Sequence, residues 1–216
     1  MRTEVRIVAA VDTLPEIHAS GGLAVRRTGP DTVHLIGTAA TPLGGDELDI
    51  EIVVGAGARL IVRSVAATIA LPSAATPLSL AHWRFDVAGE LDFEPEPTIV
   101  AGGAHHHTVT EVRLSSEARL RLRERVQIGR TGEDGGGWRG DLIADVGDLP
   151  LLRHRLELGA GGPTDDSLSA PRALDSELVY PDDRPAETID LAVSRLPLAI
   201  GGTLSTRTGV LLDANR

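Results

Sequence analysis

Gly57-Ala58-Arg59-Leu60-Ile61-Val62 is the stretch on which the fold turns, because it is written again, in altered form, at Gly89-Glu90-Leu91-Asp92-Phe93 and at Glu117-Ala118-Arg119-Leu120-Arg121-Leu122. In each copy a turn is followed by a small or polar residue and then by a leucine that opens a strand. Those leucines, at 60, 91 and 120, are 31 and 29 residues apart. A unit of about 30 residues repeating in this way predicts stacked β-coils, each too small to bury its apolar face alone. A plain β-sandwich, whose strands also recur after turns, is the alternative.

The flanking sequence supports strands. Leu48-Asp49-Ile50-Glu51-Ile52 and Leu120-Arg121-Leu122-Arg123 alternate apolar and charged residues with period two, the mark of a half-buried strand. Leu149 to Leu158 and Thr188 to Val193 are further strand candidates. Ala170 to Tyr180 is the best helix candidate, with Pro171 at its first turn and Leu174, Leu178 and Val179 on one face. Aromatic residues are only 2% of the chain, and 24 Gly and 13 Pro interrupt it, so the core is built from Leu, Val, Ile and Ala in short strands. The expectation is a mainly β, solenoid-like (helical β) architecture of short stacked strands with one or two helices near the C-terminus, in a single β domain over residues 1–216.

Composition excludes several function classes. The chain has no cysteine, which removes zinc fingers, iron–sulfur clusters, disulfide scaffolds and cysteine nucleophiles. Lys and Arg number 21 against 31 Asp and Glu, a net charge of −10, which argues against binding a phosphate backbone. The apolar stretch Ile7 to Val11 is shorter than the core of a signal peptide, and no run reaches the ~20 apolar residues of a membrane span, so a soluble cytoplasmic protein is expected. Neither a nucleophile elbow nor a Walker A motif nor a dinucleotide fingerprint occurs. Gly132-Glu133-Asp134-Gly135-Gly136-Gly137 holds two acids and no lysine, and reads as a loop rather than a phosphate cradle.

Four places carry candidate chemistry. His105-His106-His107 offers imidazoles to Ni, Zn or Cu, but on a strand His105 and His107 point to one face and His106 to the other, so at most two share an ion. Glu124 shares the even face of its strand with Leu120, Leu122, Val126 and Ile128, which puts a carboxylate among buried aliphatics. There it needs a partner, such as an arginine across the sheet, or it lines a polar interior path. Arg119, Arg121, Arg123 and Arg125 form a row on the other face and call for acidic neighbours, from this chain or from a partner protein. Glu94-Pro95-Glu96 holds two carboxylates on one side of an extended segment, suited to a cation, a basic partner group or water.

Leu43-Gly44-Gly45-Asp46-Glu47-Leu48-Asp49-Ile50-Glu51-Ile52, followed by Gly57-Ala58-Arg59-Leu60, resembles the urease accessory protein UreD (UreH) family, with its "GGD" turn, acidic alternating strand and "GAGARL" element. Ala66-Ala67-Thr68, Glu94 to Ile99, Arg119-Leu120, Glu124 and Gly129-Arg130 follow in the family's order. The resemblance covers about residues 43 to 158. Ile69 and Leu71 stand where the family usually has a lysine and an aromatic residue, and Gly132-Glu133 comes early.

That resemblance implies a non-enzymatic maturation factor with a β-solenoid-like body, needed for nickel insertion into urease. Its implied partners are a UreF-type accessory protein, a UreG-type GTPase and the urease apoprotein, with neither nucleic acid nor membrane. No cofactor is expected to be tightly bound; Ni²⁺ is in transit through an internal route. Glu94, Glu96 and Glu124 are the candidate residues for that route, with His105 and His107 after them on side-chain chemistry. A β-rich interaction module unrelated to nickel is the alternative, and a metal-dependent hydrolase using His105, His107 and a carboxylate is a third reading.

Overall fold

The computed structural model describes residues 1–133, 135–159, 162 and 170–212. The first ten strands are β1 (Arg2–Ala9), β2 (Glu16–Ser20), β3 (Leu23–Arg27), β4 (Thr32–Gly37), β5 (Glu47–Val54), β6 (Arg59–Ser64), β7 (Thr68–Ala70), β8 (Leu78–Val87), β9 (Glu90–Phe93) and β10 (Thr98–Val100). They continue as β11 (His105–Leu114), β12 (Arg119–Ile128), β13 (Gly137–Val146), β14 (Leu149–Gly159), β15 (Ala173–Tyr180), β16 (Glu187–Asp190), β17 (Val193–Pro197) and β18 (Thr203–Gly209).

The chain winds between two sheets. One has the order β14-β13-β11-β8-β5-β1-β2, and the other β16-β17-β18-β15-β12-β9-β6-β4-β3. In the first, β1, β5, β8, β11 and β13 run parallel; in the second, β4, β6, β9 and β12 do. Each coil therefore adds one parallel strand to each sheet, and about four coils stack into a β-solenoid. Antiparallel strands β2, β3, β14 and β15 follow at the ends of these parallel runs.

The repeat read from the sequence is the stacking register itself. Leu60 pairs with Leu91 and Leu91 with Leu120, and all three are buried. Two positions earlier, Ala58, Gly89 and Ala118 form a column of small residues. There Glu90 N donates to Ala58 O at 2.9 Å and Arg119 N to Gly89 O at 2.8 Å. The coils approach so closely at this corner that a Cβ on Gly89 would lie 2.2 Å from Ala58 O. At the turn before β5, a Cβ on Gly44 would lie 1.8 Å from Thr76 O. The buried Asp46 holds that turn together, accepting hydrogen bonds from Thr41 Oγ1 at 2.8 Å and Leu43 N at 2.9 Å.

Two expectations are corrected. Among the described residues there is no helix, and Ala170 to Tyr180 contains β15 instead. The apolar positions 174 and 178 that fit a helical face equally fit alternation with Asp175 and Glu177, and the second pattern wins because β12 supplies arginines opposite those acids. Thr188 to Val193 is not one strand but a hairpin, β16 turning into β17 where Ala192 N donates to Asp190 Oδ1 at 2.7 Å. Such a side-chain bond to the backbone two residues on is a turn device.

Candidate functional site

The hydrophobic core between the sheets is divided. A large cluster contains Ile7, Ile50, Ile52, Leu60, Leu91, Phe85, Leu120 and Leu122. A small one contains Ala70, Val100, Ala104, Val126, Ile128, Trp138, Leu158 and Leu174. Between them, at strand positions whose neighbours on either side belong to one cluster or the other, stand Glu124 on β12 and His106, Thr108 and Thr110 on β11. These four line a cavity of about 580 Å³, whose other walls are mainly apolar, among them Trp83, Phe85, Phe93 and Leu122. Exposed lining residues at 37, 39, 40, 65–67, 69, 96 and 130 mark its mouth.

Period-two alternation explains why Glu124 points inward. Leu120, Leu122, Val126 and Ile128 fix the even face of β12 toward the core, and Glu124 goes with them. Neither an arginine nor any other hydrogen-bonding or ion-pairing group meets its carboxyl among the described residues, and the side chain is open to the cavity. Desolvation with no compensating partner raises this carboxyl from an ordinary 4.5 to about 7.

His106 faces the same cavity from the opposite sheet and is 4% exposed. Its Nδ1 is 2.9 Å from Ser79 Oγ in a hydrogen bond, while Nε2 has no protein partner among the described residues. Burial, with a lesser contribution from neighbouring His107, lowers the ring to about 4, so the imidazole is neutral near pH 7. Thr108 Oγ1 accepts a 3.1 Å hydrogen bond from Trp138 Nε1. The cavity thus presents an unpartnered carboxyl, a neutral imidazole and hydroxyls in an otherwise apolar chamber, an arrangement that suits weak, reversible contact with a cation.

The sequence-derived residues divide by face. Glu124 lines the cavity and Glu96 lies at its mouth, half exposed and 3.7 Å from Arg125 Nη2. Glu94 points the other way, into an ion-pair lattice on the outer face. There Arg121 Nη1 and Arg123 Nη1 each donate to it at 2.6 Å. Burial alone would raise the Glu94 carboxyl, but the two guanidiniums outweigh it and hold the group at about 2. Asp92, Asp175 and Glu177 complete the lattice, so this arginine row finds its acids within the chain. His105 is exposed on the outer face of β11. His107 shares that face and hydrogen-bonds Asp141 Oδ2 at 2.7 Å, beside Arg139 and Arg155.

The five candidates therefore do not meet. No group of three or more His, Cys, Asp or Glu is placed to hold a metal ion among the described residues. His106 is the residue the sequence reading passed over, and the signal was present: Val112 and Leu114 are even, so the apolar end of β11 turns His106, Thr108 and Thr110 inward. No helix among the described residues is long and apolar enough to cross a membrane.

Comparison with known proteins adds a second line. A family described as UreD urease accessory protein matches residues 2–180. The Urease accessory protein UreD of Frankia alni is 43% identical over 200 residues, 80% of this chain and 66% of the relative. That of a Parafrankia species is 42% identical over 185 residues, 79% of this chain and 59% of the relative. Urease accessory protein UreD 1 of Saccharopolyspora erythraea is 38% identical over 190 residues, covering 86% and 74%. In the first two the match spans less than two thirds of the relative's own length.

Proposed function

The chain belongs to the UreD urease accessory protein family, and on that premise we propose that it is a non-catalytic urease maturation factor that gives Ni²⁺ an internal path to the apoprotein. It acts in a complex with UreF-type and UreG-type proteins. The observation that carries this reading is Glu124, a carboxyl with no protein partner inside the cavity. A structural carboxylate buried this deeply is normally paired, because an unpaired one costs several kcal/mol. Keeping it open is physically sensible where a passing cation supplies the missing charge.

In this reading the ion meets Glu96 at the mouth and Glu124 and His106 inside. Contact with one carboxylate, one imidazole and hydroxyls holds an ion loosely, as a conduit requires, since binding must permit release. Glu94, His105 and His107 stand outside the cavity and take no part in the path.

The test is co-expression with a UreF-type partner, a UreG-type GTPase and urease apoprotein, followed by size-exclusion chromatography and a nickel-dependent activation assay. Glu124→Ala is expected to leave the accessory complex assembled and to lower activation at least tenfold. Wild-type activation by the variant removes Glu124 from the path. Failure of the wild-type chain to bind the UreF-type partner replaces the maturation reading with an interaction module unrelated to nickel.

A further inference from the structure

Most of the wall of the same cavity is hydrocarbon, which an ion passing Glu124 and His106 leaves unused. Its volume of about 580 Å³ falls in the range of small-molecule pockets, about 300–1,000 Å³. Trp83, Phe85 and Phe93 form one aromatic wall: Trp83 and Phe85 are stacked with centroids 6.2 Å apart, and Phe93 meets each edge-on at 5.1 Å. Leu23, Leu35, Leu48 and Leu122 add aliphatic surface. Hydrocarbon surface gives nothing to a hydrated ion, but stabilises a ligand that carries hydrocarbon of its own.

Charge decides which ligand. The free anionic group facing this chamber is Glu124. Arg123, Arg125 and Arg130 also contribute lining atoms, but their charged ends are engaged outside it: Arg123 with Glu94 and Asp175, Arg125 Nη2 with Pro95 O and Glu96, and Arg130 with Glu133, while the buried Arg125 Nε has no hydrogen-bond partner. A carboxyl in an apolar chamber beside aromatic rings selects a cation that is itself mostly apolar, through a charge-assisted hydrogen bond and attraction to the ring faces. We propose that the cavity binds an apolar organic monocation, of the alkylammonium class, with its charged head against Glu124 and its hydrocarbon body along Trp83, Phe85 and Phe93. The inference is independent of the nickel path, because it concerns only what the chamber holds.

Isothermal titration of the full chain at pH 8 with hexylammonium chloride and, separately, 1-hexanol tests it; both probes have the same hydrocarbon and differ in the head. Hexylammonium is expected to bind one to one, about tenfold more tightly than hexanol, and to shift tryptophan emission through Trp83, since a hydrogen bond to a charged group is worth about one decade or more in affinity. Glu124→Gln should abolish the preference and Glu124→Asp retain it. Equal affinity for the two probes, no binding of either, binding without an emission change, or a preference that survives Glu124→Gln each overturns the proposal. If Glu124→Gln does not fold, the comparison on the wild-type chain decides alone. Neither urease nor nickel enters the experiment, so its outcome and that of the activation assay are separable.

Discussion

The two faces of β12 carry charges a residue apart and treat them oppositely. Outward, Arg121 and Arg123 meet Asp92, Glu94, Asp175 and Glu177, with Arg123 gripping both oxygens of Asp175 at 2.8 and 2.6 Å. Inward, Glu124 meets an open chamber. One strand, one backbone and one alternation thus produce a closed electrostatic lattice on one side and an open site on the other. The charges that hold this fold together bring their partners with them, whereas Glu124 is left open to the chamber.

Four experiments break or sharpen this contrast. The largest expected effect is functional and inward: Glu124→Ala lowers urease activation at least tenfold in the nickel-dependent assay while the accessory complex still assembles. Next comes Glu94→Ala, which strips two half-buried guanidiniums of a partner and destabilises the fold by about 1–3 kcal/mol in urea titration. Activation per folded molecule is unchanged.

The third experiment is a pH series, in which the two carboxyls have opposite signs. Glu94 sits at about 2 in the folded chain against 4.5 unfolded, so its stabilisation is complete above pH 4.5 and is lost as pH falls toward 2. Glu124 sits at about 7 against 4.5, so the folded state binds the proton more tightly, and stability falls as pH rises from 4.5 through 7. Glu124→Gln removes that decline and is more stable than the wild type at pH 8, by about 3 kcal/mol in chemical denaturation. The smallest effect belongs to His105→Ala, an exposed substitution that shifts neither activation nor stability by more than about 0.5 kcal/mol.

Much of this was legible in the chain. The leucines at 60, 91 and 120 pair directly, because a stacked coil repeats its buried residue at the coil's length. The inward turn of Glu124 followed from the parity of its aliphatic neighbours. What the sequence hid was long-range. Ala173 to Tyr180 is a strand because Asp175 and Glu177 answer Arg123 and Arg121, an attraction between residues more than 50 apart that local periodicity does not register. His106 was hidden by the pairing of the two sheets: its importance depends on Glu124 from the other sheet facing the same chamber. The hairpin at Asp190 was missed because an aspartate that caps a turn looks, in an alternating stretch, like one more outward residue.

The divided core also bears on how the molecule comes apart. The chamber between the two apolar clusters interrupts side-chain packing, so the small cluster around Trp138, Val126 and Leu158 is tied to the large one chiefly through backbone ladders. Cooperative unfolding relies on contiguous packing, and a seam of this kind marks where a sub-global opening begins. Amides near the small cluster, at the start of β13 and the end of β14, should then exchange hydrogen in a unit of their own, ahead of the leucine-stacked body. An occupant of the chamber would fuse the two units into one.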